Sequence, residues 1–115
     1  MATITGLFIP CDSELPMEEV TLEGGDFRLI QGLIGGLFDV VEVPDHDASF
    51  FVDDEGLIKC LPVNNRATFL VWELWFQAHV NTVILVGNVL VLGKPDEEGN
   101  TTSAPQELID EVLSR

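Results

Sequence analysis

The fold is decided by residues 37–61, which read LFDVVEVPDHDASFFVDDEGLIKCL. Residues 37–43 include the β-branched Val41 and Val43 and are followed by Pro44 and a polar turn, as is typical of a strand and the turn after it. Residues 49–52 supply a hairpin partner, and a second acidic turn, ending in glycine, leads into residues 57–61. The segment therefore predicts three adjacent strands of an antiparallel meander.

The residues before this segment predict two strands and a helix. Residues 3–9 form an apolar run that stops at a proline, and residues 19–23 alternate apolar with polar side chains, so the two strands can pair with each other. Asp26 is placed to cap a helix that runs to about residue 34 and ends at the glycine pair 35–36.

A second helix is predicted from residue 66 to about residue 78, because few β-branched residues occur there. It carries a broad apolar arc made of Phe69, Trp72, Leu74, Trp75 and Phe76. The spacing favours a place for this arc in the core. A homodimer contact is the alternative, because the arc is wider than one sheet face can bury.

The rest of the chain completes the fold prediction. Residues 83–92 read as strand, with either a turn or a bulge at Gly87 and Asn88, and Pro105 opens a short helix. We expect an α+β fold: a mostly antiparallel sheet of five or six short strands packed against two or three short helices. Residues 1–95 would form the α+β domain, 96–104 a polar loop, and 105–115 a C-terminal helix of the same domain.

Charge is the most unusual feature of the composition. The chain has twenty acidic and five basic residues, which gives a formal net charge of −15. Nucleic acid requires clustered cations, and the basic residues here are scattered singly, so we expect no direct nucleic-acid partner. The same argument disfavours membranes with anionic lipids.

Hydropathy predicts a cytoplasmic protein. The longest apolar stretch, residues 80–92, is divided by polar residues and is shorter than the roughly 20 residues of a spanning helix. The first residues have no basic region ahead of an apolar core, so a secretory signal is not expected. Cys11 and Cys60 are far apart in sequence, which predicts two buried thiols; a disulfide would require an oxidising compartment.

Acidic residues are concentrated in the turns at the two ends of one short strand: Asp45, Asp47, Asp53, Asp54 and Glu55. Their spacing does not match a calcium loop, and a five-residue strand would separate the two turns by roughly 17 Å. We interpret them as a solvated acidic surface. Together with Trp72 and Trp75, they are the candidate interaction surface.

The sequence offers little for catalysis. His46 and His79 are the available histidine bases, and no serine is flanked as Gly-x-Ser-x-Gly. We therefore predict no catalytic residues, no metal site and no cofactor.

One alternative site lies at the predicted entrance to the second helix. Asn64, Asn65 and Arg66 form a candidate anion-contact loop, because backbone N–H groups at a helix start can receive an anion. With the nearby acids, the loop could serve a small enzyme or a nucleotide-processing accessory. The surrounding negative charge argues against this interpretation.

Three blocks in the sequence resemble a known family. They read LIQGLIGGLFDVVEV at residues 29–43, FVDDEGLIKCLPVNNRAT at residues 51–68, and VILVGNVLVLG at residues 83–93. The chain resembles small proteins of bacteriophages and actinobacteria that are classified only as a domain of unknown function. Asn88 stands where that family more often has an acid, and the tryptophan-rich helix exceeds the family pattern. The resemblance implies a phage-encoded protein in the cytoplasm of a bacterial host cell.

These observations favour a non-enzymatic interaction protein over two alternatives. The leading hypothesis is a small phage product that binds and modulates a host protein. An acidic surface steers association with basic partners, so a basic protein that itself binds nucleic acid is a natural target. The alternatives are a homodimeric structural protein that buries the aromatic arc and the small anion-handling accessory.

Overall fold

An antiparallel sheet of five strands forms the centre of the computed structural model, which describes residues 3–23, 27–43, 46–80 and 83–115, apart from the side chains of 78 and 79. In chain order the strands are β1 (Thr3–Ile9), β2 (Glu18–Glu23), β3 (Phe38–Glu42), β4 (Ser49–Asp53) and β5 (Val89–Leu92). Across the sheet the order is β2-β1-β5-β4-β3. The last strand of the chain therefore joins two hairpins.

Helices cover both faces of this sheet: α1 (Phe27–Ile34), α2 (Asn65–Leu74), α3 (Phe76–Val80) and α4 (Gln106–Leu113). On one face, Ile30 and Ile34 of α1 pack against strand residues that include Ile4, Leu90 and Leu92. On the other face, α2 and α4 pack against Leu7, Ile9, Phe50, Val89 and Val91. Because β5 lies between two covered faces, all four of its residues are buried. The α+β fold predicted from the sequence is confirmed.

Local signals set the ends of several elements. The N–H groups of Gly35 and Gly36 both donate to the carbonyl of Gln31, and Gly35 has a positive φ of 102° that closes α1. The predicted pairing of β1 with β2 is also confirmed, with Ile4 opposite Leu22. The predicted cap of α1, Asp26, lies outside the described residues.

The predicted strand over residues 57–61 is wrong. The backbone there makes successive turns, in which the N–H of Lys59 donates to the Glu55 carbonyl and that of Leu61 to the Gly56 carbonyl. The edge of β4 that this strand would have used is paired with β5 instead. A short apolar run does not distinguish a strand from a loop that turns back on itself.

The predicted helix over residues 66–78 is broken. α2 ends at Leu74, Trp75 is extended with φ −143° and ψ 95°, and α3 begins at Phe76. The predicted strand over 83–92 is also shorter than expected, because Gly87 adopts a positive φ of 74° ahead of β5. Residues 83–86 instead run beside α2, with an isolated bridge from Val86 to Val63.

The expectation of two buried thiols is wrong as well. Cys60 is exposed in the loop after β4, and Cys11 is half-buried. Both are free thiols.

Candidate functional site

An apolar groove of about 420 Å³ lies at the β3 end of the sheet face that carries α2. The apolar residues that the sheet contributes are Val41 and Val52, which pack against the edge of the core. The 54–58 loop contributes Leu57 and Ile58, each 81% exposed, and the other side is formed by residues 83–86, where Ile84 is 50% exposed. Large apolar side chains that stay exposed to solvent around a concave site are typical of a binding surface.

The rim of this groove is acidic. Asp39 lies opposite Val52 across the β3–β4 pair, and Asp54 follows β4 directly; both are exposed and both line the groove. Glu55 is exposed next to Asp54. We name this region, with its apolar lining and the two aspartates, the acidic groove.

An ion pair between a buried aspartate and an exposed lysine holds the loop that forms one side of the acidic groove. The Asp53 side chain is only 2% exposed, and its Oδ2 lies 2.8 Å from Lys59 Nζ. Its Oδ1 accepts from the Glu55 backbone N–H at 2.8 Å. The hydrogen bond from Lys59 lowers the pKa of Asp53 below its ordinary value against the opposing effect of burial, and it raises the pKa of Lys59. The pair fixes where Leu57 and Ile58 are displayed.

The free edge of β3 is closed to strand pairing at its centre. The Val40 N–H donates to Asp39 Oδ1 at 2.9 Å, so the carboxylate takes the place that a partner strand's carbonyl would have. Both outer strands of the sheet carry acids, with Glu18, Glu19 and Glu23 on β2 and Asp39 and Glu42 on β3. Part of the acidic charge therefore protects sheet edges.

The described acids of the candidate interaction surface lie around the two ends of β4. Asp47 lies before β4 and Asp54 after it, and Asp47 Oδ1 accepts from the Lys94 N–H at 2.7 Å. Asp53 is buried in an ion pair, which contradicts its interpretation as a solvated acid. Asp45 lies outside the described residues. Of the predicted set, Asp53 and Asp54 line the acidic groove, and Glu55 follows them in the chain.

The aromatic arc predicted for the core is divided between the edge of the core and the surface. The core face of α2 is made of Ala67, Thr68, Leu70 and Val71. Phe69 is 55% and Phe76 71% exposed, whereas Trp72 and Trp75 are half-buried at the edge of the core. The expectation of a buried arc is therefore wrong for the two phenylalanines. On α2, Ala67, Leu70 and Val71 face the sheet and Phe69 does not, and Phe76 opens α3 after the break at Trp75.

The predicted anion-contact loop has a structural role. Asn64 is the buried N-cap of α2: its Oδ1 accepts from the Ala67 N–H, and its Nδ2 donates to the carbonyls of Ile9 and Gly87 at 2.8 and 2.9 Å. Arg66 Nη2 donates to the carbonyls of Pro10 and Asp12. Asn65 is exposed. These bonds tie α2 to the end of β1 and to the turn before β5.

The apolar lining of the groove was not predicted from the sequence: Val41, Val52, Leu57, Ile58 and Ile84. One sequence signal points to it. Between residues 56 and 95, Glu73 is the single acid, although the chain has twenty. Seven of the large apolar side chains left exposed lie in this acid-poor stretch: Leu57, Ile58, Val63, Phe69, Phe76, Val80 and Ile84. Such a coincidence is typical of a contact surface.

In the part of the chain that the structure describes, no group of three or more His, Cys, Asp or Glu side chains could hold a metal ion. His46 is exposed, and the His79 side chain lies outside the description. None of the described helices is long and apolar enough to span a bilayer.

Comparison with known proteins identifies a family. The family model described as a domain of unknown function (DUF3846) matches residues 4–115, which is nearly the whole chain. Neither the curated proteins nor the solved structures contain a match. The expected resemblance to a domain of unknown function is confirmed.

Proposed function

The chain belongs to this family of unknown function, DUF3846, and we propose that it is a non-enzymatic, phage-encoded protein that binds and modulates a basic protein of the bacterial host. The observation that carries the proposal is the acidic groove. Its lining offers exposed Leu57, Ile58 and Ile84 for contact, and Asp39 and Asp54 set the charge of its rim. The phage origin rests on the three sequence blocks that resemble phage proteins.

The groove selects for a segment that is both apolar and basic. Apolar side chains entering between Leu57 and Ile84 would remove exposed hydrocarbon from water, at about 25 cal/mol per Å². Lysine or arginine beside them would meet the two rim aspartates. The Asp53 carboxylate contributes little to this attraction, because Lys59 already neutralises it.

The charge of the whole chain supports the same partner. A net charge of −15 speeds the approach of a basic protein and repels an acidic one, so selection begins before contact. Proteins that bind nucleic acid present basic surfaces of this kind. A host protein occupied in this way would be less able to bind its own anionic partners.

Recognition in the groove relies on side chains. The Val40 N–H is already bonded to the Asp39 carboxylate, so a partner strand would have to displace that bond before it could pair with β3. We therefore expect binding to depend on the apolar lining and on the rim charges.

Affinity purification from a bacterial lysate tests the proposal with a matched pair of variants. Ile84→Glu places a charge in the groove, and Leu15→Glu places the same charge in the β1–β2 loop, where Leu15 is 52% exposed. A basic protein retained by wild type and Leu15→Glu, lost with Ile84→Glu and released by high salt supports the proposal. Equal recovery with both variants, or a partner that is not basic, contradicts it.

A further inference from the structure

A second apolar surface lies on the outer side of α2 and α3. Phe69, Trp72 and Phe76 line an open hollow of about 280 Å³ together with Glu73, and the Phe69 and Trp72 rings meet edge to face at 5.6 Å. We name these three residues the aromatic stripe. An adjoining hollow of about 230 Å³ shares Phe69 and Glu73. Exposed rings beside hollows of this size form a surface that can accept rings from an identical surface.

The charges around the aromatic stripe are balanced. Glu73 accepts two hydrogen bonds from Arg115, at 3.1 and 2.7 Å, and the same guanidinium reaches Glu111 at 3.2 Å. Arg66 lines the adjoining hollow. Glu73 is the single acidic residue within the sequence of α2 and α3. The stripe is thus surrounded by about as much positive as negative charge.

This balance decides which partner suits the stripe. Two copies that each carry −15 repel each other wherever their acidic surfaces approach, and the repulsion is smallest where the local charge is neutral. A basic partner gains nothing from a neutral surface, and the acidic groove already offers it a better one. The most compatible occupant of the stripe is a second copy of the chain.

We propose that the aromatic stripe is the contact surface of a homodimer, in which α2 and α3 of two copies pack together across a two-fold axis. The exposed parts of Phe69 and Phe76, with Trp72, amount to roughly 300 Å² per copy, since a whole aromatic side chain presents about 150–250 Å². A standard interface buries about 800 Å² per partner. The contact is smaller than a standard interface, so the dimer is weak and its population depends on concentration.

The dimer adds a property to the protein beyond the binding of one partner. Each copy brings one acidic groove, so a dimer can hold two basic segments of the same partner or assembly. Binding at two linked sites exceeds the affinity of either site alone. The dimer itself does not depend on whether the groove binds a basic partner.

Sedimentation equilibrium of the full chain over a range of concentrations tests the dimer. Phe76→Ser removes the most exposed ring of the stripe, and Phe27→Ser is its control, because Phe27 is 51% exposed on α1, across the sheet. We expect wild type and Phe27→Ser to dimerise, and Phe76→Ser to raise the dimer Kd at least about tenfold. Circular dichroism confirms that each variant is folded.

Three results would overturn the proposal. Wild type could remain monomeric throughout the concentration series, up to about 1 mM, where even a weak specific dimer would be populated. Phe76→Ser, shown to be folded, could dimerise as well as wild type. Phe27→Ser could be the variant that fails, which would place the contact on the α1 side. If wild type is monomeric and Phe76→Ser loses a lysate partner, the stripe serves another protein and the dimer is rejected.

Discussion

The acidic groove and the aromatic stripe are both exposed apolar surfaces, yet their charges differ. Asp39 and Asp54 at the groove are exposed on its rim, whereas Glu73 at the stripe is paired with Arg115. All but one of the twenty acids lie outside residues 56–95, the stretch that contains the stripe and part of the groove. Under the two proposals, charge acts locally: the exposed aspartates of the groove would attract a basic partner, and the paired charges of the stripe would permit contact between two copies.

The two surfaces are joined through a short buried network. Asn64 donates its backbone N–H to the Leu85 carbonyl, and the Thr68 hydroxyl accepts from the Leu85 N–H at 3.0 Å. Trp72 of the stripe donates its indole N–H to the Val83 carbonyl at 2.8 Å. Residues 83–86, which line the groove, are thus held by the helix that presents the stripe.

The largest effect should separate the two faces of α2. Leu70 is buried against the sheet, and its neighbour Phe69 is exposed on the stripe. Leu70→Ala should lower the free energy of unfolding by ~3 kcal/mol, because it leaves a cavity, and Phe69→Ala by less than ~1 kcal/mol. Urea denaturation, at protein concentrations too low for the dimer to form, measures the two losses. Equal losses would mean that Phe69 is part of the core and that the stripe is not a free surface.

A somewhat smaller effect tests the network that joins the two surfaces. Asn64→Ala removes the α2 cap and leaves the Ile9 and Gly87 carbonyls without their donor, which should cost about 2–3 kcal/mol. Asn65→Ala, at the exposed neighbouring position, should stay within about 0.5 kcal/mol. Thermal unfolding of the two variants gives the comparison. If Asn65→Ala were the more damaging, the cap would have been assigned to the wrong asparagine.

The ion pair behind the groove predicts a dependence on pH. Because Lys59 lowers the pKa of Asp53 in the folded state, the pair stabilises above the unfolded pKa of about 4 and loses that contribution as pH falls through the folded value. Asp53→Asn should cost about 1–2 kcal/mol at pH 7. The difference from wild type in urea unfolding should shrink below about pH 4, and a difference that persists unchanged at pH 3 would remove the ion pair from the account.

The smallest effect should distinguish the surfaces by their response to salt. From about 50 to about 300 mM salt the Debye length falls by roughly 2.5-fold. Binding at the groove should weaken several-fold, because attraction is screened, and the dimer should tighten modestly, because repulsion between the acidic copies is screened. Sedimentation of the protein alone and partner capture at both salt concentrations measure the two trends. Trends of the same sign would show that the charge contrast has no functional consequence.

Much of the fold could be predicted from local signals, because proline, glycine and asparagine act on the backbone near them. Gly35 closes α1, as the sequence predicts, and Asn64 caps α2, where the sequence offered either Asn64 or Asn65 as the cap. The strand predicted over 57–61 failed because its outcome depends on Lys59 reaching back to Asp53 and on β5 taking the edge of β4. Neither event leaves a pattern within the segment.

The candidate site was predicted less well than the fold. The groove is assembled from β3, from the loop after β4 and from residues 83–86, which are adjacent only after the sheet has formed. The sequence places the two acidic turns at opposite ends of β4, but it gives no sign that Asp53 is buried beside Lys59 or that Asp39 and Asp54 line one groove. Helical periodicity marked an apolar arc on α2, but it could not say that Ala67 and Leu70 would face the sheet and Phe69 the solvent.

The most direct test of the account is to titrate the isotope-labelled protein with a short peptide in which lysine and leucine alternate, and to follow the backbone amide signals. We expect the basic peptide to shift the amide signals of the groove, including those of Val41, Ile58 and Ile84, in a salt-dependent way. A matched peptide of glutamate and leucine should shift none of them. Shifts confined to the aromatic stripe, or equal responses to the two peptides, would contradict the claim that this groove selects a basic partner.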